Sequence, residues 1–319
     1  MEVSSMAAVS KAYLSSPSSD AFMCERINFA KWQQVPFFST SRRSAKTSSG
    51  RGGLSFEKRF RMKVFCSQKK EIPTVSARCM DDVYDALAKH LVPTAAVASN
   101  PNSKYILGLA GPPGAGKSTL ASEVVQRVNK LWPQKASSFD SQVEPMDIAI
   151  VLPMDGFHLY RSQLDAMENP EEAHARRGEP FCDISAPWTF NPELLLTCLK
   201  DLREQGSVYV PSFDHGIGDP VEDDIFVSLQ HKVVIVEGNY LLLEEGVWGD
   251  VSSFFDEKWF IDVDIGAVME RVVKRHISTG RPPDVARWRV EYNDRPNAEL
   301  IMKSKKNADL IIKSIDFQT

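Results

Sequence analysis

The apolar residues of this chain fall into two alternating patterns. Short apolar runs, each about as long as a β-strand, recur from position 105 onwards. These runs are YILGLA, DIAIVLP, SVYVPSF, KVVIVEG, KWFIDVD and DLIIKSI. Between several of them lie stretches with apolar residues at helical spacing, including STLASEVVQRVNKLW and NPELLLTCLKDLREQG. This alternation predicts an α/β fold in which a mostly parallel sheet carries helices on both faces.

The segment that precedes the first of these runs has a helical pattern only. In MDDVYDALAKHLV the apolar residues have helical spacing, which predicts a helix packed outside the sheet. We therefore predict an N-terminal helical extension over residues 69–103 and a single α/β domain over residues 104–319.

Charge is distributed unevenly along the 319 residues. Residues 1–68 contain 11 Lys and Arg against 4 Asp and Glu, whereas the remainder contains 27 against 38. The first segment is also rich in serine and lacks the continuous apolar stretch of a secretory signal, a composition typical of an organelle transit peptide. We predict that residues 1–68 are a disordered transit peptide that directs the chain to the chloroplast stroma. The alternative is a basic tail that binds an acidic surface.

Composition argues against several other classes of protein. The acidic part after residue 68 has no basic stripe, so we expect no nucleic-acid partner. No apolar run approaches the roughly eighteen residues of a membrane span, so we expect no membrane partner. The five cysteines are scattered without a C-x-x-C pair, which predicts neither a zinc site nor a disulfide framework. The oligomeric state stays open.

The segment GPPGAGKS, residues 111–118, matches the pattern G-x-x-x-x-G-K-[ST] between a predicted strand and a predicted helix. Small residues let the backbone curl so that its N–H groups face phosphate oxygens, and the following helix directs its dipole at the same anion. In this pattern Lys117 reaches the outer phosphates, and the Ser118 hydroxyl is a magnesium ligand. The predicted nucleotide-binding residues here are Gly111, Pro112, Pro113, Gly114, Ala115, Gly116, Lys117, Ser118 and Thr119.

Two carboxylates follow predicted strands directly. Glu237 ends VVIVEG, and Asp155 follows AIVLP in the segment PMDGFH. Ligands of open α/β sheets bind at the carboxyl ends of strands, and a carboxylate near the γ-phosphate accepts the proton of a hydroxyl acceptor. The chain contains no N-K-x-D pattern, which reads guanine in switch GTPases, so we predict an adenine nucleotide.

Taken together, GPPGAGKST, PMDGFH, PSFDH, VEGNYLLLE and RPNAELI resemble the P-loop kinase superfamily of uridine kinase, phosphoribulokinase and bacterial-type pantothenate kinase. Within it they are most similar to a nucleoside/fructose-kinase-like branch. The resemblance covers roughly residues 104–315 and implies a P-loop NTPase fold with a lid and an acceptor-side lobe. It implies an enzyme that uses ATP and Mg²⁺ to phosphorylate a hydroxyl of a small-molecule acceptor: a nucleoside, a sugar or a pantothenate-like compound.

The resemblance also implies roles for individual residues. Asp155 matches the catalytic base of the family, and Glu237 matches a carboxylate at the magnesium and phosphoryl centre, which makes Ser118 and Glu237 the predicted metal ligands. The predicted catalytic residues are Lys117, Asp155, Glu237 and Arg275. The predicted acceptor-binding residues are His158, Arg177, Trp188, Phe213 and His215. His158 has the alternative role of anchoring the turn behind Asp155.

The segment ERVVKRHISTGRPPDVARWR resembles the lid that closes arginines over the transferring phosphate. Arg271 and Arg275 lie at i and i+4 on one helix face, and three more arginines follow a Gly-Pro break. We select Arg275 as catalytic and Arg281 as nucleotide-binding, with ordinary surface arginines on a solvated helix as the alternative.

One segment departs from the family pattern. Relatives read RRGAPWTF continuously, whereas here EPFCDIS, residues 179–185, separates RRG from APWTF. Three explanations are open: a tolerated loop insertion, an alternative splice product, or a real change in substrate access. The insertion weakens any inference of acceptor specificity from the family through Arg176, Arg177 and Trp188. A regulator that binds ATP without transferring phosphate and a P-loop hydrolase without an acceptor are the alternatives to a kinase; Asp155 together with Glu237 favours the kinase.

Overall fold

The computed structural model describes residues 71–92, 102–136, 147–177 and 186–314. All of them lie in one unit that spans Cys66–Thr319. The predicted transit peptide, residues 1–68, and the insertion at residues 179–185 lie outside the described residues. Among the described residues, no helix has both the length and the apolar character needed to cross a bilayer.

The regular elements follow the predicted order of strands and helices. The strands are β1 Thr74–Val75, β2 Tyr105–Ala110, β3 Ala149–Pro153, β4 Val208–Asp214, β5 Asp219–Val227, β6 Val233–Gly238, β7 Glu257–Asp262 and β8 Leu310–Lys313. The α-helices are α1 Met80–Leu91, α2 Lys117–Ala136, α3 Arg161–Asp165, α4 Pro170–Arg177, α5 Pro192–Gln205, α6 Gly246–Ser253, α7 Ile265–Ser278, α8 Pro283–Arg289 and α9 Arg295–Lys303.

Six strands form one parallel sheet in the order β1-β8-β7-β2-β6-β3. Strand β2 lies inside the sheet, where Leu107 pairs with Ile235 of β6 on one side and with Glu257 of β7 on the other. Every residue of β6 is buried, so both faces of this strand are covered. The prediction of a mostly parallel sheet within an α/β fold is confirmed. Because β2, β6 and β3 are parallel neighbours, their carboxyl ends meet at one edge.

One predicted strand does not join this sheet. The run SVYVPSF forms most of β4, which pairs antiparallel with β5 in a separate two-stranded sheet. The sequence analysis did not predict β5, since four charged residues interrupt DPVEDDIFV and leave no continuous apolar run. Four consecutive β5 residues are exposed, which explains why no apolar pattern marks the strand.

Local signals account for the bounds of α5. The Asn191 side chain accepts a hydrogen bond from the backbone N–H of Leu194, and Pro192 occupies the first helical position. At the other end Gly206 adopts a left-handed conformation with φ of 76°, as glycine commonly does after the last turn. The helix therefore begins and ends where the sequence pattern predicts.

The segment before β2 is attached to the sheet at the end opposite the carboxyl edge. Helix α1 packs on α2, where Arg127 contacts Asp81 at 2.6 Å. At the last turn of α1, His90 Nε2 lies 2.9 Å from Glu257 Oε2, and the Tyr105 hydroxyl donates to the same oxygen at 2.6 Å. This carboxylate therefore joins α1 to the beginnings of β2 and β7.

Candidate active site

A cleft of about 450 Å³ lies at the carboxyl edge of the sheet. Its walls come from the loop after β2, the turn after β3, the turn after β4, the end of β6 with the residue that follows it, and one face of α7. The lining residues are Pro113, Gly114, Gly116, Lys117, Ser118, Thr119, Asp155, His215, Glu237, Gly238, Asn239, Arg271, Val272 and Arg275. Three predicted elements, the phosphate loop and both strand-end carboxylates, thus share one cleft.

The loop between β2 and α2 depends on left-handed glycines. Gly114 and Gly116 have φ of 75° and 87°, a region that residues with a Cβ rarely adopt. The Ala115 N–H donates to the Pro112 carbonyl at 3.1 Å, which tightens the turn, and α2 then begins directly at Lys117. The first N–H groups of a helix have no intrahelical partner, so this end of α2 is suited to bind an anion.

The two polar side chains that follow the loop are both held by the segment at the end of β6. Lys117 Nζ donates to Asn239 Oδ1 at 2.7 Å and to the Gly111 carbonyl at 3.0 Å. The Ser118 hydroxyl donates to Glu237 Oε1 at 2.8 Å, and Glu237 is only 7% exposed. An ammonium group, a hydroxyl and a carboxylate are therefore gathered at the floor of the cleft.

This arrangement fits magnesium bound together with a phosphate ligand. Among the residues that the structure describes, no group of three or more His, Cys, Asp and Glu side chains could hold a metal ion. Magnesium in kinases, however, is usually bound through one or two carboxylates, waters and the phosphates of the substrate. The hydroxyl of Ser118 and the carboxylate of Glu237 supply such a partial set of oxygen ligands.

Asp155 lies in a 3₁₀ turn, Met154–Phe157, that directly follows β3. A Cβ added at Gly156 would lie 2.6 Å from the Pro211 carbonyl carbon, and one added at Gly238 would lie 2.7 Å from Met154 Sδ. Contacts of this length do not occur for real Cβ atoms. Glycine at both positions therefore lets the Asp155 turn pack directly against β4 and the end of β6.

His158 lies behind this turn and does not line the cleft. Its ring is 6% exposed and packs 3.9 Å from the Phe190 ring, between centroids. Nδ1 lies 2.7 Å from the Asp155 carbonyl oxygen, which can only accept, so Nδ1 carries the hydrogen. Burial lowers the pKa of His158 to about 3, and the ring is neutral. This position favours the anchoring role over the predicted contact with the acceptor.

The other predicted acceptor-side residues differ in whether they line the cleft. His215 lines the cleft, and its ring lies 5.1 Å from that of Phe213. Arg177 is 2% exposed, donates to the Gly218 carbonyl and lies over the Phe213 ring at 5.6 Å. Trp188, at 47% exposed, is outside the cleft lining. The structure thus brings His215 to the cleft and places Phe213 and Arg177 behind it.

Two of the lid arginines line the cleft. Arg271 and Arg275 both line the cleft because α7 presents i and i+4 side chains on one face. Arg271 also donates to the Gly114 carbonyl at 3.4 Å. Arg281 lies beyond the end of α7, after Gly280 with its φ of 95°, and it is not among the lining residues. Arg271 and the predicted catalytic Arg275 thus lie in the cleft, whereas nucleotide binding by Arg281 stays a prediction.

Sequence reasoning also missed Asn239. It lies within VEGNYLLLE, but no role was assigned to it. The available signal was its position directly after β6, since ligands of open α/β sheets bind at the carboxyl ends of strands. Its partner Lys117 is 122 positions away, a contact that local patterns do not indicate.

Comparisons with known proteins show the family of this chain. The model of the Phosphoribulokinase / Uridine kinase family matches residues 106–319. The Schizosaccharomyces pombe protein C227.14 is 34% identical over 220 residues, which cover 68% of this chain and 86% of that protein. The ATP-dependent kinase YFH7 of Lachancea thermotolerans is 30% identical over 277 residues, which cover 76% of each chain.

A solved structure supports the same assignment. The crystal structure of a Silicibacter sp. TM1040 protein is similar to this chain with a TM-score of 0.58 at 28% identity, covering 74% of this chain and 99% of that one. The phosphate loop, the parallel sheet and the matched residues 106–319 point to one conclusion. The chain belongs to the phosphoribulokinase / uridine kinase family of P-loop kinases.

Proposed function

We propose that this protein transfers the γ-phosphoryl group of ATP to a hydroxyl group of a small-molecule acceptor. The observation that carries the proposal is the composition of one cleft, which contains the phosphate loop, Asp155 and the hydrogen-bonded pair Ser118–Glu237. A nucleoside, a sugar or a pantothenate-like compound is the class of acceptor that the family implies.

The cations of the cleft would bind the phosphates. Lys117 and the first N–H groups of α2 face them from the loop side, while Arg271 and Arg275 approach from α7. Fixed cations at a phosphoryl group stabilise the charge of its transition state without reorganisation. Magnesium, held by Ser118, Glu237 and the phosphates themselves, would neutralise further phosphate charge.

Asp155 would act on the acceptor. Its turn is held on one side by β4 and on the other by the end of β6, so the carboxylate has a defined position in the cleft. A carboxylate in this place orients the acceptor hydroxyl and takes its proton as the new P–O bond forms. His215, which also lines the cleft, would contact the remainder of the acceptor.

The test is the variant Asp155→Asn, which keeps the shape of the side chain and removes the proton acceptor. ADP release is measured with a panel of acceptors for wild type and variant, and ATP affinity is measured by calorimetry. We expect ATP to bind both proteins, while transfer falls about a hundredfold to ten-thousandfold in the variant. Asp201→Asn, on α5 and outside the cleft lining, is the control that keeps wild-type transfer.

Two results would contradict the proposal. Transfer by Asp155→Asn within about threefold of wild type lies well below the range for a general base and would remove Asp155 from the mechanism. If wild type binds ATP but phosphorylates no acceptor, a regulator that uses ATP as a conformational ligand replaces the kinase.

A further inference from the structure

The end of β6 and the residue that follows it bring two polar side chains to the beginning of α2. Glu237 is the next-to-last residue of β6, and Asn239 directly follows the strand. Glu237 accepts from Ser118, and Asn239 accepts from Lys117. Two consecutive side chains of the phosphate loop thus contact alternate residues of one neighbouring segment.

Asn239 itself is held rigidly. It is 4% exposed although it lines the cleft. Before it, Gly238 packs against Met154; after it, Tyr240 is fully buried with its ring 5.7 Å from Phe190 and 5.8 Å from Trp248. The backbone on both sides of Asn239 is therefore anchored in the core, which leaves its side chain little freedom.

The hydrogen bond between Lys117 and Asn239 explains why an amide side chain suits position 239. An ammonium group only donates, so the amide atom that faces Lys117 Nζ at 2.7 Å must be the oxygen. An aspartate at this position would accept the same hydrogen bond but would also neutralise the lysine charge. A neutral amide orients the ammonium group and leaves its full positive charge for the phosphates.

We infer that Asn239 is a positioning residue that holds the Lys117 ammonium group toward the outer phosphates of the nucleotide while preserving its charge. The inference rests on the proposed function for its role in transfer. Its effect on nucleotide affinity, in contrast, is measurable whether or not an acceptor is known. Asn239 acts through Lys117 and need not touch the nucleotide itself.

The experiment compares Asn239→Leu and Asn239→Asp with wild type. Calorimetry gives the affinity for ATP and for AMP, which lacks the outer phosphates. Because a hydrogen bond to a charged group is lost, we expect Asn239→Leu to bind ATP about tenfold more weakly. Asn239→Asp keeps the shape and the acceptor oxygen, yet its added negative charge should weaken ATP binding by at least about as much. AMP affinity should stay within about twofold of wild type in both variants.

A matched control addresses loss of packing. Asn307 is a half-buried asparagine outside the cleft lining, and its Nδ2 donates to the Leu242 carbonyl at 2.9 Å. Asn307→Leu removes a comparable amide and should leave ATP affinity unchanged. If Asn239→Leu fails to fold, the near-isosteric Asn239→Asp variant decides the question.

The inference is overturned if Asn239→Asp binds ATP as tightly as wild type, or if ATP and AMP lose affinity equally, which would indicate a general structural role. These outcomes are distinct from failure of the proposed function. A wild-type protein that binds ATP but transfers no phosphate contradicts the kinase and leaves the Asn239 measurement valid. A wild-type protein that transfers phosphate, with unchanged ATP affinity in both variants, contradicts only the role of Asn239.

Discussion

Gly156→Ala is a small change that tests how the Asp155 turn is positioned. A Cβ at position 156 would lie 2.6 Å from the Pro211 carbonyl carbon, with the carbonyl oxygen closer still. Both atoms belong to the backbone of β4 and cannot rotate away, unlike the end of a flexible side chain. The turn must therefore move away from β4, and Asp155 moves with it.

The expected losses of transfer rate and of folding stability follow from that geometry. Since real Cβ atoms stay beyond about 3.0 Å from such atoms, the turn has to shift by something on the order of 1 Å to clear the carbonyl group. A displacement of this size at a reacting group costs about a hundredfold in rate. Overpacking in a well-packed region costs roughly 1–3 kcal/mol of folding free energy. Each kcal/mol lowers the Tm of a chain of this size by about 2–4 °C.

The assay measures ADP release with the best acceptor, ATP affinity by calorimetry and Tm by circular dichroism. We expect transfer to fall about a hundredfold, Tm to fall by several degrees and ATP affinity to change little, because the loop from Gly111 to Thr119 is not displaced. Gly266→Ala is the control, since its Cβ meets only the terminal oxygen of Asp264 at 3.0 Å. A Gly156→Ala protein with wild-type transfer and wild-type Tm would refute the reasoning.

Two further predictions concern other parts of the fold. Deleting residues 179–185 should preserve folding and transfer, because the hydrogen bond from the Ala186 N–H to the Arg176 carbonyl, 2.9 Å long, would then close a four-residue turn; a Tm loss above about 4 °C would contradict this. Burial opposes ionisation of Glu257, but hydrogen bonds from His90 and Tyr105 outweigh it and lower its pKa. The stability from this carboxylate is therefore present above the unfolded pKa, near 4.5, and is lost as the pH falls toward the lower folded value. Urea unfolding should show Glu257→Gln less stable than wild type at neutral pH, with the difference shrinking below pH 4.5; a constant difference would exclude the linkage.

Local patterns in the sequence were sufficient for the phosphate loop and for most of the sheet. GPPGAGKS is continuous, and its glycines are required by backbone conformations that Gly114 and Gly116 adopt in the structure. The buried strands β2 and β6 read as continuous apolar runs because both of their faces are covered. In each case the physical cause lies within a few consecutive residues, so the pattern is visible without the fold.

Other features were decided only by the tertiary structure. Strand β5 is largely exposed, and no apolar pattern marks it. For His158 the sequence left two roles open, and its burial against Phe190 and its contact with the Asp155 carbonyl favour the anchor of the turn. Asn239 reaches Lys117 across 122 positions because β6 lies beside β2 in the sheet. Such contacts depend on which strands become neighbours, and strand order follows from packing of the whole domain, which no short stretch of sequence encodes.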